Sequence, residues 1–152
     1  MLLIVYAAFF LLGALAFQGR HWAYGMFMLL GLLFFPARVG FHMDPHPCQC
    51  ELSVPLALFS LTNYKHIVLF GILFLLTSAQ LPGFPTRTRI LIALGVVLTM
   101  GIYVELAEGL TGQGHCRLRD LVPDVAGGLA GAIVLLAVTA LRQQGRYEKR
   151  GR

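Results

Sequence analysis

The sequence predicts an all-α fold, a polytopic membrane helix bundle of about five transmembrane helices, in a single membrane domain over residues 1–152. Three observations lead there. Of the 152 residues 57% are hydrophobic and only 12% are charged, against about a quarter charged in a soluble globular domain. The apolar residues gather in five runs, at 1–17, 22–35, 65–80, 90–104 and 121–141. Those runs are continuous rather than alternating, and a helix satisfies its own backbone within lipid.

The first run carries no charge. It has neither the basic leader nor the clear small-residue cleavage site of a signal peptide, so it reads as a retained helix. The second run is short of the roughly 20 residues that a span requires, and borrows interfacial flanks near His21 and Pro36. Together these two form an N-terminal helical hairpin, 1–36. The stretch 36–64 is the longest irregular one. It holds Leu52-Ser-Val-Pro-Leu-Ala-Leu-Phe59, too short to cross and suited to lying in the interface or dipping back. The third run is closed by Leu81-Pro-Gly-Phe-Pro-Thr86, a helix-breaking turn. The fourth and fifth runs flank a polar loop, and the fifth gives way to a basic tail, 142–152.

Orientation follows from lysine and arginine. Net charge is +5, and five of the twelve basic residues lie in the tail. Cytoplasmic loops carry the Lys/Arg excess, which puts the tail, the Arg20 turn and the Arg87/Arg89 turn inside, and residues 36–64 and 106–120 outside, although these outer stretches hold Arg38, Arg117 and Arg119. Five spans then leave the N-terminus outside and the C-terminus cytoplasmic. A tail of this kind suits an anionic membrane surface. No folded basic module stands behind it, so nucleic acid is not an expected partner.

The chemistry concentrates at the junction of the last two runs. Ionisable groups at membrane depth face a bundle interior or a wet cavity and mark function by default. Glu105 and Glu108, three residues apart, share one helix face at the end of the fourth run. A helix C-terminus disfavours carboxylates, so capping does not account for them. Asp120 suits an N-cap, Pro123 fits the first turn, and Asp124 sits one turn in. Arg117 and Arg119 stand in the loop between. Gly127 and Gly131 form a Gly-x-x-x-Gly packing face, which would bring Asp124 towards Glu105 and Glu108. His66, at the start of the third run, lies at the same outer level.

These residues together resemble the VanZ-like family of small bacterial membrane proteins over roughly 60–140. Glu105 matches the family's first acid. Asp120, Asp124, Gly127 and Gly131 match its later run, and His66 matches a histidine opening an earlier span. Glu108 stands where the family usually has Gln, Thr62-Asn63 replaces a common Asp-Lys pair, and either Arg117 or Arg119 fills the place of the loop arginine. The N-terminal hairpin and the cysteine-bearing loop lie outside the pattern. The resemblance implies the bacterial cytoplasmic membrane and an outward-facing role near cell-wall precursors, since the family is linked to glycopeptide antibiotic resistance.

The outer loops also hold Cys48, Cys50 and Cys116. On the oxidising side of a membrane, a disulfide from Cys116 to Cys48 or Cys50 would tie the two loops over the acidic site. The rivals are three unremarkable thiols and, after them, a zinc or copper site drawing on His42, His46, Cys48, Cys50, His115 and Cys116.

The expected function is recognition or modification of an envelope or lipid-linked substrate by Glu105, Glu108, Asp120, Asp124, His66 and Arg117 or Arg119. A carboxylate or histidine would act as base and an arginine would hold an anionic group. No nucleophile motif or nucleotide loop defines a reaction, and membrane lipid is the expected surrounding partner. The alternatives are a non-enzymatic accessory subunit of a larger membrane complex, and metal handling through the Cys/His loop.

Overall fold

The structure, a computed structural model, describes residues 2–38, 42–112 and 115–150. The first residue of the N-terminal run, residues 39–41 and 113–114 of the two loops and the last two residues of the tail lie outside the described residues. Among the described residues six α-helices follow one another: α1 (Leu2–Phe17), α2 (His21–Arg38), α3 (Val54–Ser60), α4 (Tyr64–Ala79), α5 (Thr86–Thr111) and α6 (Leu121–Arg150), with a 3-10 turn at Leu118–Asp120 leading into α6. Among the described residues there is no strand, only an isolated parallel bridge between Gln49 and Arg117.

The fold class agrees with the sequence, but the number of crossings is coarser. Two helices, α5 and α6, are long and apolar enough to cross a membrane, or three if the bent pair α3 and α4 is counted as one. The hairpin helices are apolar but have 16 and 18 residues. At about 1.5 Å per residue they fall short of a hydrocarbon core about 30 Å thick.

Several helices differ in extent from the apolar runs, each for a local reason. Helix α2 continues through Pro36. Proline lacks the N–H that would bond the carbonyl four residues back, and that carbonyl, Leu32, instead accepts the Tyr103 hydroxyl of α5. Helix α5 runs two turns past the expected end and stops at Gly112, which adopts φ +64, the left-handed geometry that glycine tolerates at a helix C-terminus. The segment 52–59 yields α3, capped by Ser53, whose side chain accepts the Leu56 N–H. Helix α3 meets α4 at 73° and packs on the 3-10 turn and the start of α6. Asp120 is no N-cap, because helical geometry has already begun at Leu118. Helix α6 carries on through the basic tail to Arg150.

Helices α4 and α6 run parallel and form the most extensive pairing. Their contact is backbone on backbone. A side chain on Gly127 would collide with the Ile67 carbonyl, and one on Gly131 would lie 3.0 Å from the Gly71 carbonyl and 2.8 Å from the Phe74 ring. Close approach at small residues is how helices associate in lipid, where the hydrophobic effect gives no help. Phe70, Leu73 and Phe74 of α4, Ala93 and Val97 of α5, and Ala132 and Leu135 of α6 complete the core. Large apolar side chains cover the outside, with Phe10 82% and Ile133 68% exposed.

Gly127→Leu should therefore separate α4 from α6, costing at least the 1–3 kcal/mol or so typical of an overpacked core. Gly95, which faces open space, serves as control. Thermal unfolding in mild detergent should show a large loss for G127L and little change for G95A.

Candidate functional site

The glycine contact sets α4 and α6 in register at the end of the bundle where both begin. There His66 Nδ1 and Asp124 Oδ1 lie 2.7 Å apart. Each sits in the first turn of its helix. The His66 side chain is 23% exposed and that of Asp124 1%. The imidazole stacks on Phe70, one turn along α4, which holds the ring plane while Asp124 holds its Nδ1 edge. A carboxylate in this position orients an imidazole and leaves Nε2 for other work.

The second carboxylate oxygen, Asp124 Oδ2, is buried and has no hydrogen-bond partner among the described residues. It faces Gly101 of α5, where an added Cβ would sit 2.7 Å from it. Gly101 therefore makes room for the carboxylate. Glu105 lies one turn further along the same face of α5 and is 6% exposed. Its Oε2 accepts the main-chain N–H of Arg117 at 2.5 Å. Glu108 accepts the His115 N–H at 2.9 Å. Both glutamates thus receive main-chain donors from the loop after α5, which explains carboxylates near a helix C-terminus.

That loop is pinned from a second side. Cys116 is joined to Cys48. Gln49 donates its N–H to the Cys116 carbonyl and accepts that of Leu118. Asp44 and His46 donate their N–H groups to the Leu110 and Gly109 carbonyls, among the last carbonyls of α5, which lack intrahelical donors. The segment 44–50 is therefore a strap across the end of α5.

The residues singled out in the sequence divide as follows. His66, Asp124 and Glu105 come together around Gly101. Asp120 lies close enough for its charge to act on His66, Asp124 and Glu105. Arg117 meets Glu105 through its main chain, while its buried Nε has no partner among the described residues. Arg119 pairs with none of the acids, and His66–Asp124 is the sole ion pair among the described residues. Glu108 belongs instead to a cavity of about 380 Å³ on the strap side, lined also by His46, Gln49, His115 and Cys116. Of the residues considered as metal ligands, Cys48 and Cys116 are bonded to each other, and Cys50 is free and exposed. His46 and His115 share the strap-side cavity with Glu108 and Cys116, but among the described residues, His42 included, no three His, Cys, Asp or Glu side chains form a group that could hold a metal ion.

Sequence reasoning missed Gly101, Gly71 and Gln49. Gly101-x-x-x-Glu105 was a usable signal, because a glycine one turn before an acid in an apolar helix marks a place where another group approaches the helix. Gln49 carried no signal, since its role is made by its main chain.

Compared with protein-family models, with curated proteins and with solved structures, the chain matches none.

Two outcomes are expected. Non-reducing peptide mapping should recover a linked Cys48–Cys116 peptide with Cys50 open to alkylation, and Cys48→Ser should lower stability by about 2–4 kcal/mol. His66→Leu should cost about 3–5 kcal/mol, because it leaves a buried carboxylate unpaired. The double variant H66L/D124L should recover part of that loss. A double-variant loss equal to the sum of the two single losses would mean that the residues do not act as a pair.

Proposed function

We propose that this chain is a VanZ-like protein of the bacterial cytoplasmic membrane, with five crossings and an outward-facing polar site that recognises or modifies an envelope or lipid-linked substrate. One observation carries the reading. A histidine at 2.7 Å from an almost fully buried aspartate stands at one end of a bundle whose helices expose many large apolar side chains. A polar pair buried among apolar helices is costly unless fully partnered. This one leaves Asp124 Oδ2 without a partner among the described residues, and the buried Nε of Arg117 in the adjoining loop is likewise unpartnered.

In this reading Asp124 orients His66, and the free imidazole nitrogen accepts a proton from, or donates one to, the polar head of the substrate. Arg117 holds an anionic group. Glu105 keeps the Arg117 loop against α5, and the Cys48–Cys116 link keeps the strap over both. The Lys/Arg distribution supports an outer location, with Arg20, Arg87, Arg89 and the tail on the inner side.

The test has two parts. An impermeant thiol reagent applied to intact cells, after reduction, should label Cys48, Cys50 and Cys116. Labelling that requires lysis would put the site inside. Purification in gentle detergent with native mass measurement should then find a bound envelope lipid, lost about tenfold or more in His66→Gln, on the order expected for a hydrogen bond to a charged group. A stoichiometric protein partner without that lipid would make the chain an accessory subunit, and a stoichiometric metal would make it a metal-handling protein.

A further inference from the structure

The far end of the bundle has its own concavity. A cavity of about 490 Å³ opens between the α1–α2 turn, the α4–α5 turn and α6. One wall is apolar, formed by Leu75 of α4 and Val134, Leu135 and Val138 of α6. The lining also holds two arginines, Arg89 of α5 and Arg142 of α6, with Gln18 from the α1–α2 turn. Arg89 is positioned by the fold. Its Nε and Nη2 donate to the Ser78 carbonyl at 3.1 and 2.8 Å, one of the last carbonyls of α4, and its remaining N–H groups are left for a ligand. Arg142 is exposed, with no ion pair among the described residues.

Charge is sorted between the two ends. Six of the seven acidic residues, Asp44, Glu51, Glu105, Glu108, Asp120 and Asp124, belong to the His66 end and its loops. The remaining one, Glu148, is in the tail, among Arg146, Lys149 and Arg150. Among the described residues the cavity lining therefore holds cations and no carboxylate.

We propose that this cleft binds an anionic phospholipid, with Arg89 and Arg142 holding the headgroup phosphate and an acyl chain lying on Leu75, Val134, Leu135 and Val138. The combination of guanidinium groups above an apolar wall selects this occupant. A free anion would leave the wall uncovered, and a zwitterionic lipid would bring a second cation to the arginines. Guanidinium forks match phosphate oxygens in pairs, and basic pockets between helices at the inner leaflet recognise anionic headgroups. The inference rests on the membrane embedding of the proposed reading but not on any role for His66.

The experiment uses the full chain in nanodiscs of equal parts phosphatidylglycerol and phosphatidylcholine, with retained lipid measured by native mass spectrometry. Phosphatidylglycerol should be retained over phosphatidylcholine by about tenfold. Arg142→Gln should reduce that preference by about fivefold, on the scale of one basic residue near an anionic surface. Arg87→Gln, at the same end but outside the cavity lining, should leave it unchanged. Because Arg142 makes no ion pair among the described residues, the fold of R142Q should persist, checked by an unaltered melting temperature. Equal retention of the two lipids by the unsubstituted chain, or an R142Q preference equal to that of R87Q, would overturn the proposal. Displacement of the bound lipid by millimolar inorganic phosphate would also overturn it, reducing the site to a simple anion site. Loss of envelope lipid in H66Q with phosphatidylglycerol retention intact would separate this site from the one at the other end.

Discussion

Parallel helices α4 and α6 touch main chain to main chain, and the absence of side chains at Gly71, Gly127 and Gly131 permits it. In lipid an apolar side chain gains little by leaving its acyl neighbours for another helix, so packing quality decides which helices associate. The glycine contact supplies that packing and also sets register. With Gly127 against the Ile67 carbonyl, Asp124 falls level with His66 at one end of the pair. At the other end the same register aligns Leu75 and Ser78 with Val134, Leu135 and Val138 around the far cavity. Both polar features of the molecule thus depend on one close approach.

Helix α5 then closes the site, and it does so through another missing side chain. Gly101 leaves the space that the Asp124 carboxylate occupies, and Glu105 follows one turn later. Two acids on adjacent helices so near each other repel. The structure answers by engaging them separately: Asp124 bonds an imidazole, and Glu105 bonds a main-chain amide. Main-chain donors cost no buried cation, so the acidic cluster is held without a desolvated Arg–carboxylate pair, whose burial is often costly.

The loops serve the helices rather than standing apart from them. Segment 44–50 supplies donors to the end of α5 and pairs with the Cys116–Leu118 strand of chain, and the disulfide locks that pairing. The loop amides that hold Glu105 and Glu108 are consequently fixed in place. The acids are concentrated at one end: six of the seven gather where main-chain donors and His66 await them, while Arg117 and Arg119 share that end and Arg89 ties the α4–α5 turn at the other.

The sequence by itself determined the helical class, the apolar runs that become α1, α2, α4, α5 and α6, and the identity of the ionisable groups, because long continuous apolar runs favour helices that satisfy their own backbone and make each charge conspicuous. It offered a disulfide from Cys116 to Cys48 or Cys50 beside the alternatives of free thiols and a metal site. Only the tertiary structure decided that Cys48 is the partner, that His66 meets Asp124 rather than Glu105, and that Glu105 answers to the main chain of Arg117 rather than to an arginine side chain. It alone extended α5 to Gly112 and carried α2 past Pro36. Those outcomes depend on main-chain donors and acceptors, which every residue carries alike, and on the axial register of two helices, which is set by contacts between residues about sixty positions apart. Neither is written in the composition or periodicity of any one segment.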